Sequence, residues 1–219
     1  MAKNVGVLLS GSGVFDGSEI HEAVLTLLFL DKAGANIKCM APNMDQYHVI
    51  NHLTNEEMDE KRNILVEAAR IARGDIDDLK DIHASDLDAL IIPGGHGAIK
   101  NLSDFAFTGH KVKVHVEVER LLEEMVSESK PVGAICIAPA PVTKALSKRN
   151  PVVTIGNDVG TAATIGTMGG KHENCTVDMI CLDEKNNIVT TPAYMLGPSI
   201  KDIAVGIEKL VEKILSMIK

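Results

Sequence analysis

Short apolar runs that stop at glycine, serine or proline, and alternate with segments of helical character, leave this chain few folds to choose from. "NVGVLLSGSG" (4–13), "ANIKCMAP" (35–42), "LDALIIPGG" (87–95) and "PVGAIC" (131–136) read as buried strands running into loops. Between and after them lie "SEIHEAVLTLLFLDKAG", "EKRNILVEAARIARG", "KVHVEVERLLEEMVSESK", "IAPAPVTKAL" and the closing "SIKDIAVGIEKLVEKILSMIK", all of helical character. Strands that alternate with helices of this length imply a parallel sheet wrapped on both faces. No internal repeat or low-complexity linker divides residues 1–219, so a single α/β domain is expected.

The first helix places Ile20, Val24, Leu27 and Leu28 on one stripe, with Gly34 just past its end. In the second, Ile64, Leu65, Ala68 and Ile71 point inward and Gly74 ends it. "PVVTIG" reads as another apolar run, and the "DEKNN" turn inside "NCTVDMICLDEKNNIVTTPAYM" as a hairpin connection. The polar "NHLTNEEMDEKRN" is a surface excursion. There is no Trp, with four Phe and two Tyr, so the core is aliphatic and base-stacking surfaces are scarce. A net charge of −8 without a basic run excludes nucleic acid and anionic membranes as expected partners. The opening apolar stretch is too short for a signal peptide, and no segment is long enough for a transmembrane helix. Cys39, Cys136, Cys175 and Cys181 show no C-x-x-C spacing, so reduced thiols in the cytoplasm are expected.

In such folds ligands bind at the carboxyl ends of the strands. Three loops converge there: "SGSGVFDG", "PGGHGA" and the corner at Cys136. A cysteine on a strand-to-helix turn faces a helix amino terminus, whose free N–H groups favour a thiolate. The other reading is an inert core thiol, and position alone does not separate the two. Gly94-Gly95 alone reads as an ordinary tight turn; the functional reading is that the N–H groups of Gly95 and Ile137 hold a developing oxyanion. Glu19, His21 and Glu22 open the first helix, where acids suit the helix dipole; one that projects toward Cys136 would be desolvated and serve as a proton shuttle.

Other motifs fall short. "PGGHGA" lacks the GK[ST] of a phosphate loop, and "GSGVFDG" lacks the third glycine of a dinucleotide fingerprint. His48 and His52 are four apart but have no third ligand, and His115-x-Glu117 precedes the nucleophile strand; both pairs read as helix-surface features. No cofactor and no metal is expected.

Taken together, "GSGVFDGSEIHEAV", "IIPGGHGAIKNLSDFA", "AICIAPA" and "TTPAYM" resemble the ElbB subfamily of the PfpI/ThiJ-type superfamily, relatives of the class I glutamine amidotransferases. The resemblance runs from the first strand to the last helix. It implies a flavodoxin-like three-layer αβα sandwich, commonly homodimeric, with the nucleophile at Cys136 and a carboxylate beside it at Glu22, or failing that Glu19. It also implies a glutathione-independent glyoxalase acting on a small reactive dicarbonyl, with protein deglycation and a link to isoprenoid biosynthesis as further associations. Many members place His directly after the Cys; here Ile137 stands there, leaving His96 and His172 as neighbours. The late His-x-Glu of an amidotransferase is absent, since His172 and Glu173 are adjacent.

Two functions follow. In one, Cys136 attacks glyoxal or methylglyoxal and Glu22 moves a proton between the two carbons, giving a 2-hydroxy acid. In the other, Cys136 is a redox-sensing thiol whose output is partner binding, without turnover.

Overall fold

The computed structural model describes residues 2–219. In chain order the elements are β1 (Asn4–Leu8), α1 (Ile20–Lys32), β2 (Asn36–Ala41), β3 (Ile50–Asn51), β4 (Glu56–Glu57), α2 (Ile64–Ile71), β5 (Asp77–Asp78) and β6 (Ala89–Ile92). Then come α3 (His96–Lys100), α4 (Phe105–Thr108), α5 (Val116–Ser127), β7 (Val132–Ile135), α6 (Pro139–Ala145), β8 (Val152–Val153) and α7 (Val159–Thr167). The last are β9 (Lys171–His172), β10 (Cys181–Asp183), β11 (Ile188–Thr191) and α8 (Ile200–Met217).

Seven strands form one sheet in the order β10-β11-β7-β6-β1-β2-β5, parallel except for β10 against β11. This is the mostly parallel α/β sandwich expected, with helices on both sides and the "DEKNN" hairpin joining β10 to β11. The chain leaves β1 for β2 on one side and returns to β6 on the other, so the switch in strand order falls between β1 and β6. The inner strands are buried on both faces, which explains their unbroken apolar sequence. A side chain at Gly133 would strike Leu210 of α8 and Ile91 of β6, so glycine lets that helix lie close to the sheet. No helix among the described residues is long and apolar enough to cross a membrane.

Two expectations are corrected. The stripe Ile20, Val24, Leu28 does not face the core: these residues are 43%, 48% and 46% exposed, and Glu22, Ala23, Thr26 and Leu30 point inward. The apolar run "PVVTIG" lies outside the main sheet: β8 pairs in parallel with β9 in a separate two-stranded sheet. His48 and His52 are not on a helix surface, whereas His115 and Glu117 stand at the start of α5, as its cap and in its first turn. His52 lies just past β3, where its Nε2 accepts from Phe15 N–H at 3.2 Å; His48 precedes that strand; and His115 caps α5, its Nδ1 accepting from Glu117 N–H. Of the excursion at 51–63, residues 52–61 are exposed, as expected; β4 lies there and pairs with β3, just before it, in a short hairpin.

Candidate active site

β7 ends at Ile135, and α6 starts at Pro139, so the chain must turn within three residues. Cys136 takes the turn with φ +61°, a left-handed conformation that costs a non-glycine residue about 1–3 kcal/mol. Hydrogen bonds hold it there: Cys136 N–H to Thr191 O at 2.9 Å and Ala138 N–H to Ile135 O at 3.0 Å. Pro139 begins the helix where its missing N–H has no partner to lose. The strain turns Sγ toward the carboxyl ends of β6 and β7, where the N–H groups of Gly95 and Ile137 both donate to it.

The loop after β6 is held against the first loop. Glu19 N–H donates to Gly94 O at 2.9 Å and Gly97 N–H to Gly17 O at 2.8 Å. Gly95 has φ +96°, and a side chain there would collide with the backbone of Gly17 and Glu19. Gly94 is wedged tighter: an added Cβ would lie 2.5 Å from Cys136 Cβ and 2.6 Å from Glu22 Oε2. We therefore expect Gly94→Ala to lose about 1–3 kcal/mol of stability by overpacking and roughly 100-fold in rate by parting thiol from carboxyl. Thermal melts and turnover assays check this; unchanged values would contradict the wedge.

Glu22 sits behind the thiol, fully buried. Its Oε2 accepts from Gly94 N–H at 2.9 Å and its Oε1 from Tyr194 N–H at 3.2 Å, and it shares a hydrogen bond with Cys136. Burial, and then the charge of Glu19, push its pKa up to about 8, while the amides and the thiol pull the other way. Folding therefore binds a proton at Glu22. This contribution to stability is full below the usual carboxylate range and is lost as pH climbs through about 8. Glu22→Gln removes the titration, so its melting temperature relative to wild type should rise between about pH 5 and about pH 9. A difference constant with pH would contradict the buried carboxyl.

The thiol itself departs from expectation. Cys136 is only 7% exposed, and burial, followed by the Glu22 charge, pushes its pKa up; the Gly95 and Ile137 amides oppose this without reversing it. The sulfur thus starts as a thiol that needs a base, and Glu22 is the base in contact. Among the four cysteines, Cys136 alone combines a left-handed turn, two amide donors from different loops and a buried carboxyl. Burial pushes Cys39 to about 11 and Cys181 to about 12; Cys181 Sγ donates to Glu173 Oε2 at 3.9 Å, but that carboxylate is exposed.

A cavity of about 290 Å³ opens over Cys136. Val14, Ile99, Ile137 and Met195 form apolar wall, and Glu19, His96 and Tyr194 add polar groups. Among the described residues, no Lys or Arg lines it. A larger cavity of about 760 Å³ lies along the excursion, between Asp45 and Lys61, away from the thiol. His96 shares the wall, half-buried, with burial lowering its pKa. Glu19 caps α1, its Oε2 accepting from Glu22 N–H at 2.7 Å. His172 does not join the site: it lies on β9, and its Nε2 accepts from Ile155 N–H at 3.2 Å. Among the described residues, no group of three or more His, Cys, Asp or Glu could hold a metal ion.

Sequence reasoning gave no role to Tyr194 and Gly94. Tyr194 follows β11 in a turn where Ala193 takes φ +42°, and its N–H reaches Glu22 while its Oη meets His21 Nδ1 at 2.8 Å. The signal was Pro192 directly after a strand that pairs with β7: the end of β11 had to lie beside Cys136.

Comparison with known proteins gives the chain its family and agrees with its fold. A human protein, "Glutamine amidotransferase-like class 1 domain-containing protein 3, mitochondrial", is 43% identical over 228 residues, covering 99% of this chain and 84% of that protein. The crystal structure of an isoprenoid biosynthesis protein with amidotransferase-like domain from Ehrlichia chaffeensis is 40% identical, with TM-score 0.93 and full coverage of both chains. A DJ-1 superfamily protein from Agrobacterium tumefaciens, 17% identical with TM-score 0.56 over 95% of this chain and 89% of that one, shares the fold. The sequence model of the DJ-1/PfpI family matches residues 13–193, which run from the first loop through β7 to the turn after β11, and the chain belongs to that family.

Proposed function

We propose that the protein is a cofactor-independent glyoxalase that converts glyoxal or methylglyoxal to a 2-hydroxy acid. The observation that carries this reading is the contact between the Cys136 thiol and a Glu22 carboxyl whose pKa is raised to about 8. An ordinary carboxylate is a poor base for a thiol; one raised this far is a stronger base, and the Gly95 and Ile137 amides oppose the rise of the thiol.

As sulfur attacks the aldehyde carbon, Glu22 accepts the thiol proton and the new oxyanion lies against the N–H groups of Gly95 and Ile137. Glu22 returns that proton to the oxygen, giving the hemithioacetal, and is again a carboxylate. It next removes the hydrogen from the same carbon as a proton, leaving an enediolate, and delivers it to the neighbouring carbon, while the hydroxyl proton passes from the first oxygen to the second. The first carbon is oxidised to a thioester and the second reduced to an alcohol, so no external oxidant enters. Water then cleaves the thioester, restoring the thiol and releasing the 2-hydroxy acid.

The cavity supports a small, neutral substrate. Its volume lies at the lower edge of the ~300–1,000 Å³ usual for ligand pockets, and no cation lines it to pair with a carboxylate. Glutamine, with its α-carboxylate, is poorly matched. The redox-sensing alternative fits less well, because burial raises the thiol pKa and sensors depend on an available thiolate. The test is lactate formation from methylglyoxal, followed by NMR with no added thiol or metal. Steady lactate production supports the reading, and consumption of methylglyoxal without lactate contradicts it.

A further inference from the structure

One polar atom on the cavity wall has no use in that mechanism. Glu19 lines the cavity, and its side chain is only 10% exposed. Its Oε2 is engaged by Glu22 N–H at 2.7 Å. Its Oε1 meets no hydrogen-bond donor among the described residues: His21 Nδ1 is 3.9 Å away and is taken by Tyr194 Oη at 2.8 Å. A carboxylate oxygen on a cavity wall with no protein donor is an acceptor left for water, or for a ligand that brings a hydroxyl in its place.

Methylglyoxal brings none, since its oxygens only accept. We propose that the pocket is built for hydroxylated carbonyl compounds, and that Glu19 Oε1 accepts a hydrogen bond from a substrate hydroxyl next to the ketone. The substrate class is then the 2-oxoaldehydes with a hydroxyl on the third carbon. This deepens the glyoxalase reading and rests on it for the aldehyde end alone. The geometry orients such a molecule from both ends. Glu19 N–H is bonded to Gly94 O, which places this residue beside the glycine pair whose Gly95 amide points at Sγ. A cavity of 290 Å³ is about ten times the ~30 Å³ that a water occupies in the liquid, so a carbon chain longer than three fits as well. The site has no cation to bind a carboxylate, so Glu19 selects for donors and against anions.

The test separates binding from turnover. Alkylation of Cys136 by iodoacetamide is followed by peptide mass spectrometry in the presence of hydroxyacetone or of acetone, which differ by the hydroxyl. Hydroxyacetone should half-protect the thiol at a concentration at least about tenfold lower than acetone, the discrimination expected of a site that must pair a buried charge. Glu19→Gln retains a carbonyl oxygen to cap α1 and turns an amide N–H₂ toward the cavity, so the preference should fall to near unity. In turnover, kcat/KM for 3-hydroxy-2-oxopropanal should exceed that for methylglyoxal by a similar factor in wild type, and not in Glu19→Gln. Equal protection by the two ketones, or a preference that survives Glu19→Gln, overturns the inference. If hydroxyacetone is preferred and neither oxoaldehyde turns over, the glyoxalase reading fails while the hydroxyl site stands.

Discussion

Cys136→Ala should leave the fold in place and remove lactate formation, with a fall of at least about 10³-fold in kcat. The left-handed turn is imposed by its surroundings: Cys136 N–H on Thr191 O, Ala138 N–H on Ile135 O and the start of α6 all remain when the thiol is gone. Alanine suffers the same φ strain as cysteine, so the difference in stability is small. Every covalent step passes through the sulfur, so nothing replaces it. Cys136→Ser should fail almost as badly, because a hydroxyl holds its proton far more tightly than the thiol and Glu22 cannot take it. Circular dichroism melts with lactate assays on all three proteins check this; a Cys136→Ala protein that turns over at even a tenth of the wild-type rate contradicts it.

Glu22→Gln should cost roughly 10²–10⁴-fold in kcat/KM, the usual worth of a positioned acid–base group. It should also change the pH profile. In the wild type, kcat/KM rises about tenfold per pH unit as the pair sheds its first proton, and levels off above about pH 8, where Glu22 is a carboxylate able to take the thiol proton. The direction is set by burial, which holds the proton on Glu22 at neutral pH. Glutamine neither takes nor gives a proton, so the limb near pH 8 disappears in the variant. A wild-type profile that is flat from about pH 6 to about pH 9 would show that the carboxyl is ionised throughout and does not act as argued.

Much of this was readable before any coordinates. The alternation of apolar runs with helices specified the parallel sheet, because strands buried on both faces admit little else. The three loops at its edge followed from the rule that such sheets use their carboxyl ends, and they do meet at Cys136. Tertiary facts were not readable. The stripe from Ile20 to Leu28 has faultless helical spacing, but apolar spacing cannot say which side of α1 faces the sheet. The side that does carries Glu22 to the thiol, and this leaves the stripe half-exposed. The direction of the thiol's pKa was misjudged for a related reason. A turn at a helix start shows amide donors in sequence, whereas burial and a buried carboxyl partner appear only when distant segments pack. His172 was drawn toward the site by its residue type, and it is held elsewhere by β9 pairing with β8, two two-residue strands with no sequence signal of their own.

The most direct measurement is the mass of the Cys136 peptide during turnover. Protein mixed with methylglyoxal and quenched in acid within the first turnover should carry one substrate-derived adduct on Cys136, and the adduct should decay as lactate appears. Lactate formed at full rate with Cys136 unmodified at every time point would place the chemistry elsewhere and contradict the account.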